Sequence, residues 1–239
     1  MKVLALESSA KAVSVAVCEN GVILAQGYQN TGLTHSVTMM PLLENLMKTA
    51  SLTLADMDVI AVAAGPGSFT GLRIGVSAAK GLAWSLDKPC CGVSTLEAMA
   101  ENGRNFEGTV ICAMDARRQQ IYNAIFDCRS GELTRRCEDR AVALAQVAEE
   151  LQSDPAPKLV IGDGAQLCCD YLLAQGIQCR MASPTLRFQQ AAGVALVAER
   201  MALSGKTVSA QELTPTYLRL SQAERERLEK GLPLTVETK

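Results

Sequence analysis

Val59-Ile60-Ala61-Val62-Ala63-Ala64-Gly65-Pro66-Gly67-Ser68-Phe69-Thr70-Gly71-Leu72-Arg73-Ile74-Gly75, continuing through Val76-Ser77-Ala78-Ala79-Lys80-Gly81-Leu82-Ala83-Trp84, is the stretch on which the fold turns. Its apolar opening predicts a buried strand, the Gly-Pro-Gly-Ser segment a loop, and the remainder a helix of about four turns. Strand, flexible loop and helix in that order is how α/β proteins bring a helix N-terminus to a phosphate. No Lys-Ser/Thr follows the glycines, so this is not a Walker A sequence, and a tight strand-to-helix turn is the plainer reading. At 100° per residue, Gly71, Gly75, Ala78 and Leu82 share one helix face. Glycine inside a helix costs roughly 0.5–1 kcal/mol against alanine, and close approach of another backbone is the natural compensation. Arg73, Ser77, Lys80 and Trp84 line the other side. That stripe is either an ordinary solvated face or a docking surface, since tryptophan and arginine are enriched at interface hot spots.

Upstream, residues 3–6, 13–17 and 22–28 read as strands, with an acidic turn at Glu7-Ser8-Ser9-Ala10-Lys11 and a hairpin signal at Asn20-Gly21. A helix is expected over 35–50, capped by Thr34 and kinked or delayed by Pro41. Its apolar face (Met39, Leu42, Leu43, Leu46, Met47) suits a core, or a partner surface, because methionine adapts to interfaces. Downstream, a strand at 89–93 and a helix at 95–101 precede a break at Asn102-Gly103-Arg104-Asn105. Strands at 110–114 and 120–126 then flank the turn Asp115-Ala116-Arg117-Arg118, and another strand follows the loop at 129–132. Helices at 141–151, 166–175 and 188–204 alternate with strands at 158–161 and 177–180. Residues 214–219 read as extended, and Ser221-x-x-Glu224 opens a charged helix through 230.

Sliding the chain by 108 positions places Glu7 on Asp115, Val13 on Ile121, Ala16 on Ala124 and Val17 on Ile125. After a two-residue insertion Gly21 meets Gly131, and Leu159-Val160-Ile161-Gly162-Asp163-Gly164 echoes the strand ending at Gly65. Each half therefore reads strand, acidic turn, strand, hairpin, strand, helix, strand, helix. The expected fold class is α/β: a duplicated actin-like (ribonuclease H-like, ASKHA) fold of two lobes, each a mixed sheet flanked by helices. The expected units are an N-terminal lobe over 1–104, a second lobe over 105–204, and a C-terminal extension over 205–239 packing back on the first lobe.

Bulk properties narrow the function. The chain has 239 residues, 48% of them apolar, and a net charge of −2. That charge leaves no electrostatic footprint for autonomous RNA or DNA binding. No run approaches the ~20 apolar residues of a membrane span, and the short apolar run at 3–6 is not the core of a signal peptide. Nine cysteines without a Cys-x-x-Cys fit reduced thiols in a cytoplasmic protein.

The segments Gly65–Gly75, Gly92-Val93-Ser94-Thr95-Leu96, Asp115-Ala116-Arg117-Arg118 and Pro215-Thr216-Tyr217-Leu218-Arg219 resemble the bacterial TsaB (YeaZ) family over nearly the whole chain. The resemblance implies a role in making threonylcarbamoyladenosine (t6A), the modified base beside the anticodon of tRNAs reading codons that begin with A. It implies a non-catalytic scaffold partnered by TsaD, an actin-like relative carrying the active site, and by the ATPase TsaE. Contact with tRNA is implied only within that complex, and a homodimer through the same face when TsaD is absent.

The residues point the same way about chemistry. A phosphate-gripping turn favours glycine, and neither acidic turn has one. Ser8 and Ser9, with Gly65 and Gly67, are therefore candidates only for weak ATP or ADP contacts, or for nucleotide held at the partner interface. The catalytic relative holds its metal with His-x-x-x-His. Alignment on Gly92-Val93 puts Thr95 and Met99 at those positions, poor ligands for a divalent metal, with Glu97 between them. A Ser-His or Cys-His pair would have to use His35, the only histidine. No cofactor or metal of its own is expected. The candidate partner face comprises His35, Met39, Leu42, Leu46, Gly71, Arg73, Gly75, Ala78, Lys80 and Leu82, and Gly75→Arg is expected to break the complex and spare the fold. The alternative function is an independent actin-like ATPase or small-molecule kinase.

Overall fold

Two sheets with one shared strand order organise the chain, whose computed structural model describes residues 1–117, 119–219 and 227. The first holds β1 (Lys2–Glu7), β2 (Val13–Glu19), β3 (Val22–Gln29), β4 (Val59–Gly65) and β5 (Cys90–Ser94), ordered β3-β2-β1-β4-β5. The second holds β6 (Gly108–Asp115), β7 (Gln120–Arg129), β8 (Glu132–Arg135), β9 (Arg140–Ala143), β10 (Lys158–Ile161) and β11 (Arg180–Met181). Its order, β8-β7-β6-β10-β11, repeats that of the first sheet, with β9 paired to β7 beside it. In both sheets the first two strands are antiparallel and the later ones parallel. The two hairpins even share backbone conformation. Asn20 and Gly21 have φ of 51° and 77°, and Ser130 and Gly131 have 51° and 78°, the paired positive values of a tight two-residue turn.

Parallel neighbours need crossovers, and helices provide them. The first lobe uses α1 (His35–Thr49) and α2 (Phe69–Leu86), the second α4 (Leu144–Leu151) and α5 (Ala165–Ala174). α1 runs without a break through Pro41, so the expected delay does not occur. The Val37 carbonyl that loses its donor to Pro41 belongs to an exposed residue, and water can serve it. Thr34 occupies the cap position but makes no side-chain cap bond. Strand β9 takes the residues expected to begin a helix at 141, and β11 is shorter than expected.

Each sheet is buried on both faces, which is why β4 reads as an unbroken apolar run. One face of the first sheet packs on α1 and α2, and one face of the second on α4 and α5. The inner faces are covered by exchange. α3 (Thr95–Ala100) follows the first sheet in the chain but sets Leu96, Met99 and Ala100 against Val110, Cys112 and Phe126 of the second. α6 (Ala191–Leu203) returns the exchange, setting Val194, Ala195 and Ala198 against Val3, Ala5 and Ala61 of the first. A second lobe spanning 105–204 is therefore corrected, because α6 is part of the first lobe's core. The two helices cross where Gly193 meets the Ala98 backbone with no room for a Cβ.

Among the described residues no helix is long and apolar enough to cross a membrane. The expected helix from Ser221 through Lys230 and the side chain of Arg118 lie outside the described residues.

Candidate functional site

The two acidic turns face one another across a cleft between the lobes. Glu7 ends β1 and accepts the Ser9 backbone N–H on Oε1 at 2.6 Å. Asp115 ends β6 and accepts the Arg117 backbone N–H on Oδ1 at 2.7 Å. The same two-residue device thus recurs 108 positions apart. Asp163, just past β10, completes the acidic floor.

Burial pushes the Glu7 carboxyl from 4.5 up to about 7, with the Asp163 charge adding to the rise and bonds from Ser9 opposing it. Burial also raises Asp163, against a bond from Gln189. Glu7 Oε2 and Ser9 Oγ are buried with no hydrogen-bond partner.

A cavity of about 460 Å³ remains above this floor, bounded by Ser9, Lys11, Phe69, Asp163 and Tyr217 among others. Several groups that could meet a nucleotide bond within the chain instead. Ser8 is fully buried and donates its hydroxyl to the Gly71 carbonyl at 2.8 Å, so its candidacy for nucleotide contact is corrected. The Ser68 N–H, at the start of α2, donates to the Ser9 carbonyl at 2.6 Å beside Gly67. Gly65, at φ 135°, lies under the Thr216 backbone, whose N–H donates to the Ala64 carbonyl at 2.7 Å.

Thr95 and Met99 are fully buried. A hydroxyl and a thioether in that setting do not fit a divalent metal. Among the described residues no group of three or more His, Cys, Asp or Glu is arranged to hold one. All nine cysteines are free thiols. His35 sits with Nε2 2.7 Å from the Ala10 carbonyl, pinning the start of α1 to the first acidic turn.

The second candidate surface is the outer side of α1 and α2, which lie side by side on the first sheet. Several expected interface residues point inward instead. Met39 and Leu46 belong to the core, and Leu42, Ala78 and Leu82 pack against it. Gly71 and Gly75 are buried; a Cβ at Gly71 would overlap the Ser8 carbonyl, and one at Gly75 the Ser8 hydroxyl. The close backbone approach that the glycines implied is real, but the approaching chain is this protein's own first turn. An arginine at 75 would displace that turn, so Gly75→Arg does not spare the fold.

Lys80 donates to the Gln211 and Leu213 carbonyls, each at 3.0 Å. Arg73 is exposed but lies 4.0 Å over the Phe69 ring. What faces outward is Trp84, 72% exposed, with Val37 at 65% and Met40 at 42%. Ser77 and Gly81 are also exposed, and a Cβ at Gly81 would meet nothing. Val37, Met40 and Gly81 were missed by sequence reasoning. The signal for Gly81 was its phase, since it falls off the face shared by Gly71 and Gly75.

A family model described as "TsaD: tRNA N6-adenosine threonylcarbamoyltransferase" matches residues 29–226. A Bacillus subtilis (strain 168) protein named "tRNA threonylcarbamoyladenosine biosynthesis protein TsaB" is 34% identical over 96% of this chain and 99% of its own. The chain belongs to the TsaB family. An Escherichia coli (strain K12) member of the same name is 31% identical over 92% of this chain and 95% of its own. The solved structure of YeaZ from Pseudomonas aeruginosa superposes with a TM-score of 0.76 at 27% identity, covering 91% of this chain and 99% of that one. The duplicated, helix-flanked mixed sheets are thus the fold of this family.

Proposed function

We propose that this chain is a non-catalytic, activating subunit in the synthesis of threonylcarbamoyladenosine on tRNA. In this reading the exposed side of α1 and α2 docks on a TsaD-type catalytic relative. That relative transfers the threonylcarbamoyl group to the adenosine beside the anticodon, the ATPase TsaE joins the pair, and tRNA is met only within the assembly. The setting is the cytoplasm. The same face pairs two copies of this chain when the catalytic relative is absent.

One observation carries the reading: the Ser8 hydroxyl, the Ser68 N–H and the space over Gly65 are taken up by the protein's own first turn and by residues 214–219. The names of the relatives support the pathway. The exposed Trp84 supports a docking role, because tryptophan is enriched at interface hot spots.

The test is reconstitution. tRNA modification is measured with the TsaD relative, TsaE and the threonylcarbamoyl donor, with and without this chain, alongside turnover of Mg-ATP by the chain alone. Modification should require both proteins. Turnover by the isolated chain at enzyme-like rates would instead favour the independent ATPase or kinase and overturn the scaffold.

A further inference from the structure

Residues 208–219 form a strap that leaves the first lobe and reaches the second. Val208 pairs with Cys90 by two backbone bonds, 2.8 and 2.9 Å, along the free edge of β5. Ala210 and Leu213 are buried in the first lobe's core, and Lys80 fastens the carbonyls of Gln211 and Leu213. The strap then crosses the C-terminal end of β4, where Thr216 bonds Ala64 and only a glycine at 65 leaves it room.

Beyond that point the Tyr217 ring stacks on Phe69, centroids 4.5 Å apart. The Tyr217 hydroxyl accepts from Arg73 Nε at 3.2 Å. Finally Arg219 donates from its guanidinium to the Ala116 carbonyl, in the second lobe's acidic turn. Thr216 to Arg219 all border the cleft.

We propose that this strap is a built-in occupant of the interlobe cleft: it fills the mouth where a ligand would enter and latches the two lobes at one separation through Tyr217 and Arg219. The chemistry supports a latch rather than a passive tail. The anchoring half, 208–213, is held by buried side chains. The bridging half is held by one aromatic stack and by charge-assisted bonds at a partly exposed surface, contacts that release at modest cost. Release would free the Phe69 ring and the Ala116 carbonyl together, one in each lobe. Because Phe69 and Arg73 form the first turn of α2, the latch also sets how the start of that helix is held. This inference does not depend on the proposed partner, since it concerns the chain alone.

Amide hydrogen exchange on the full chain tests it, with Tyr217→Ala and Arg219→Gln made separately. Arg219→Gln removes the bridge without touching the core, so it reports even if Tyr217→Ala loosens the whole fold. The expected result is exchange accelerated about tenfold, the loss of one charge-assisted hydrogen bond, at 113–117 in Arg219→Gln. In Tyr217→Ala it extends to 64–73. Amides of β1 and β7 should keep wild-type protection. Unchanged exchange at 113–117 in Arg219→Gln would overturn the latch, whatever Tyr217→Ala does. So would acceleration spread evenly over both sheets in that variant.

Discussion

Replacing Glu7 with glutamine should stabilise the protein, and increasingly so as the pH rises. Glu7 is wholly buried, and its carboxyl titrates near 7 in the folded chain against 4.5 when unperturbed. Between those values the unfolded chain gives up the proton that the folded chain keeps. The unfolded state therefore binds fewer protons, and stability falls with pH by about 1.4 kcal/mol for each pH unit in the window. Across the window the loss comes to about 3 kcal/mol, complete by about pH 8. The amide of Glu7→Gln keeps an oxygen for the Ser9 N–H and carries no charge, so it escapes the loss. Urea unfolding followed by circular dichroism, at steps from about pH 5 to about pH 8, reads the difference directly. Asp163 is raised in both proteins and largely cancels in the comparison. The wild type and variant should be close at the acid end, with the variant ahead by a few kcal/mol at the alkaline end. A difference that stays flat with pH, or a variant weaker at pH 8, would refute the buried, uncompensated carboxylate.

Gly71→Ala and Gly75→Ala should each destabilise by about 1–3 kcal/mol or more, as overpacking against Ser8; denaturant midpoints check this. Gly81→Arg should leave stability within about 0.5 kcal/mol of wild type while abolishing co-purification with the catalytic relative, and normal co-purification would move the docking surface elsewhere. Trp84 is the only tryptophan, so the intrinsic fluorescence of this chain should shift to the blue when the partner covers it. A titration with a tryptophan-free partner variant reads that shift. Burial pushes Asp154 upward, but bonds from Arg136, the Ala156 N–H and Thr109 outweigh it and hold the carboxyl at about 2. Its stabilising contribution is therefore present above the ordinary aspartate range and lost as the pH falls toward 2, so Asp154→Asn should flatten the acid limb of the stability curve.

The fold was largely legible because its signals are local. Two-residue hairpins, continuous apolar strands and the phase of each helix all follow from neighbours in sequence, and the 108-residue offset joined them into halves. The exchange of α3 and α6 was not legible. Both helices are rich in alanine and apolar on more than one side, so nothing in their periodicity says which sheet they cover. The proposed docking face was half legible for a related reason. A stripe of small residues, Gly71 and Gly75 with Ala78, announces a close approach but not the identity of what approaches. Here it is the Ser8 turn. Trp84 was the better signal, since a lone large aromatic among serines and glycines has no core to join. Ser8 could not be excluded as a nucleotide contact from sequence, because a buried and an open hydroxyl look alike there.

The strand-to-helix junctions of the two halves are built alike. In the first half Gly65 lies under Thr216, and the Ser68 N–H turns back to the Ser9 carbonyl. In the second, Gly162, at φ 124°, leaves no room for a Cβ beside the Ala113 carbonyl, and the Gly164 N–H bonds that same carbonyl at 3.0 Å. Both strand-to-helix junctions thus keep the glycines that a nucleotide-gripping loop needs and spend donors on their own first strand or turn. A glycine retained for ligand approach would leave open space above it, whereas these are filled by the chain. At Gly65 and Gly162 the missing side chain serves packing against the chain's own backbone. The acidic turns share a structural task as well: Glu7 and Asp115 each close a turn through a backbone N–H two residues on.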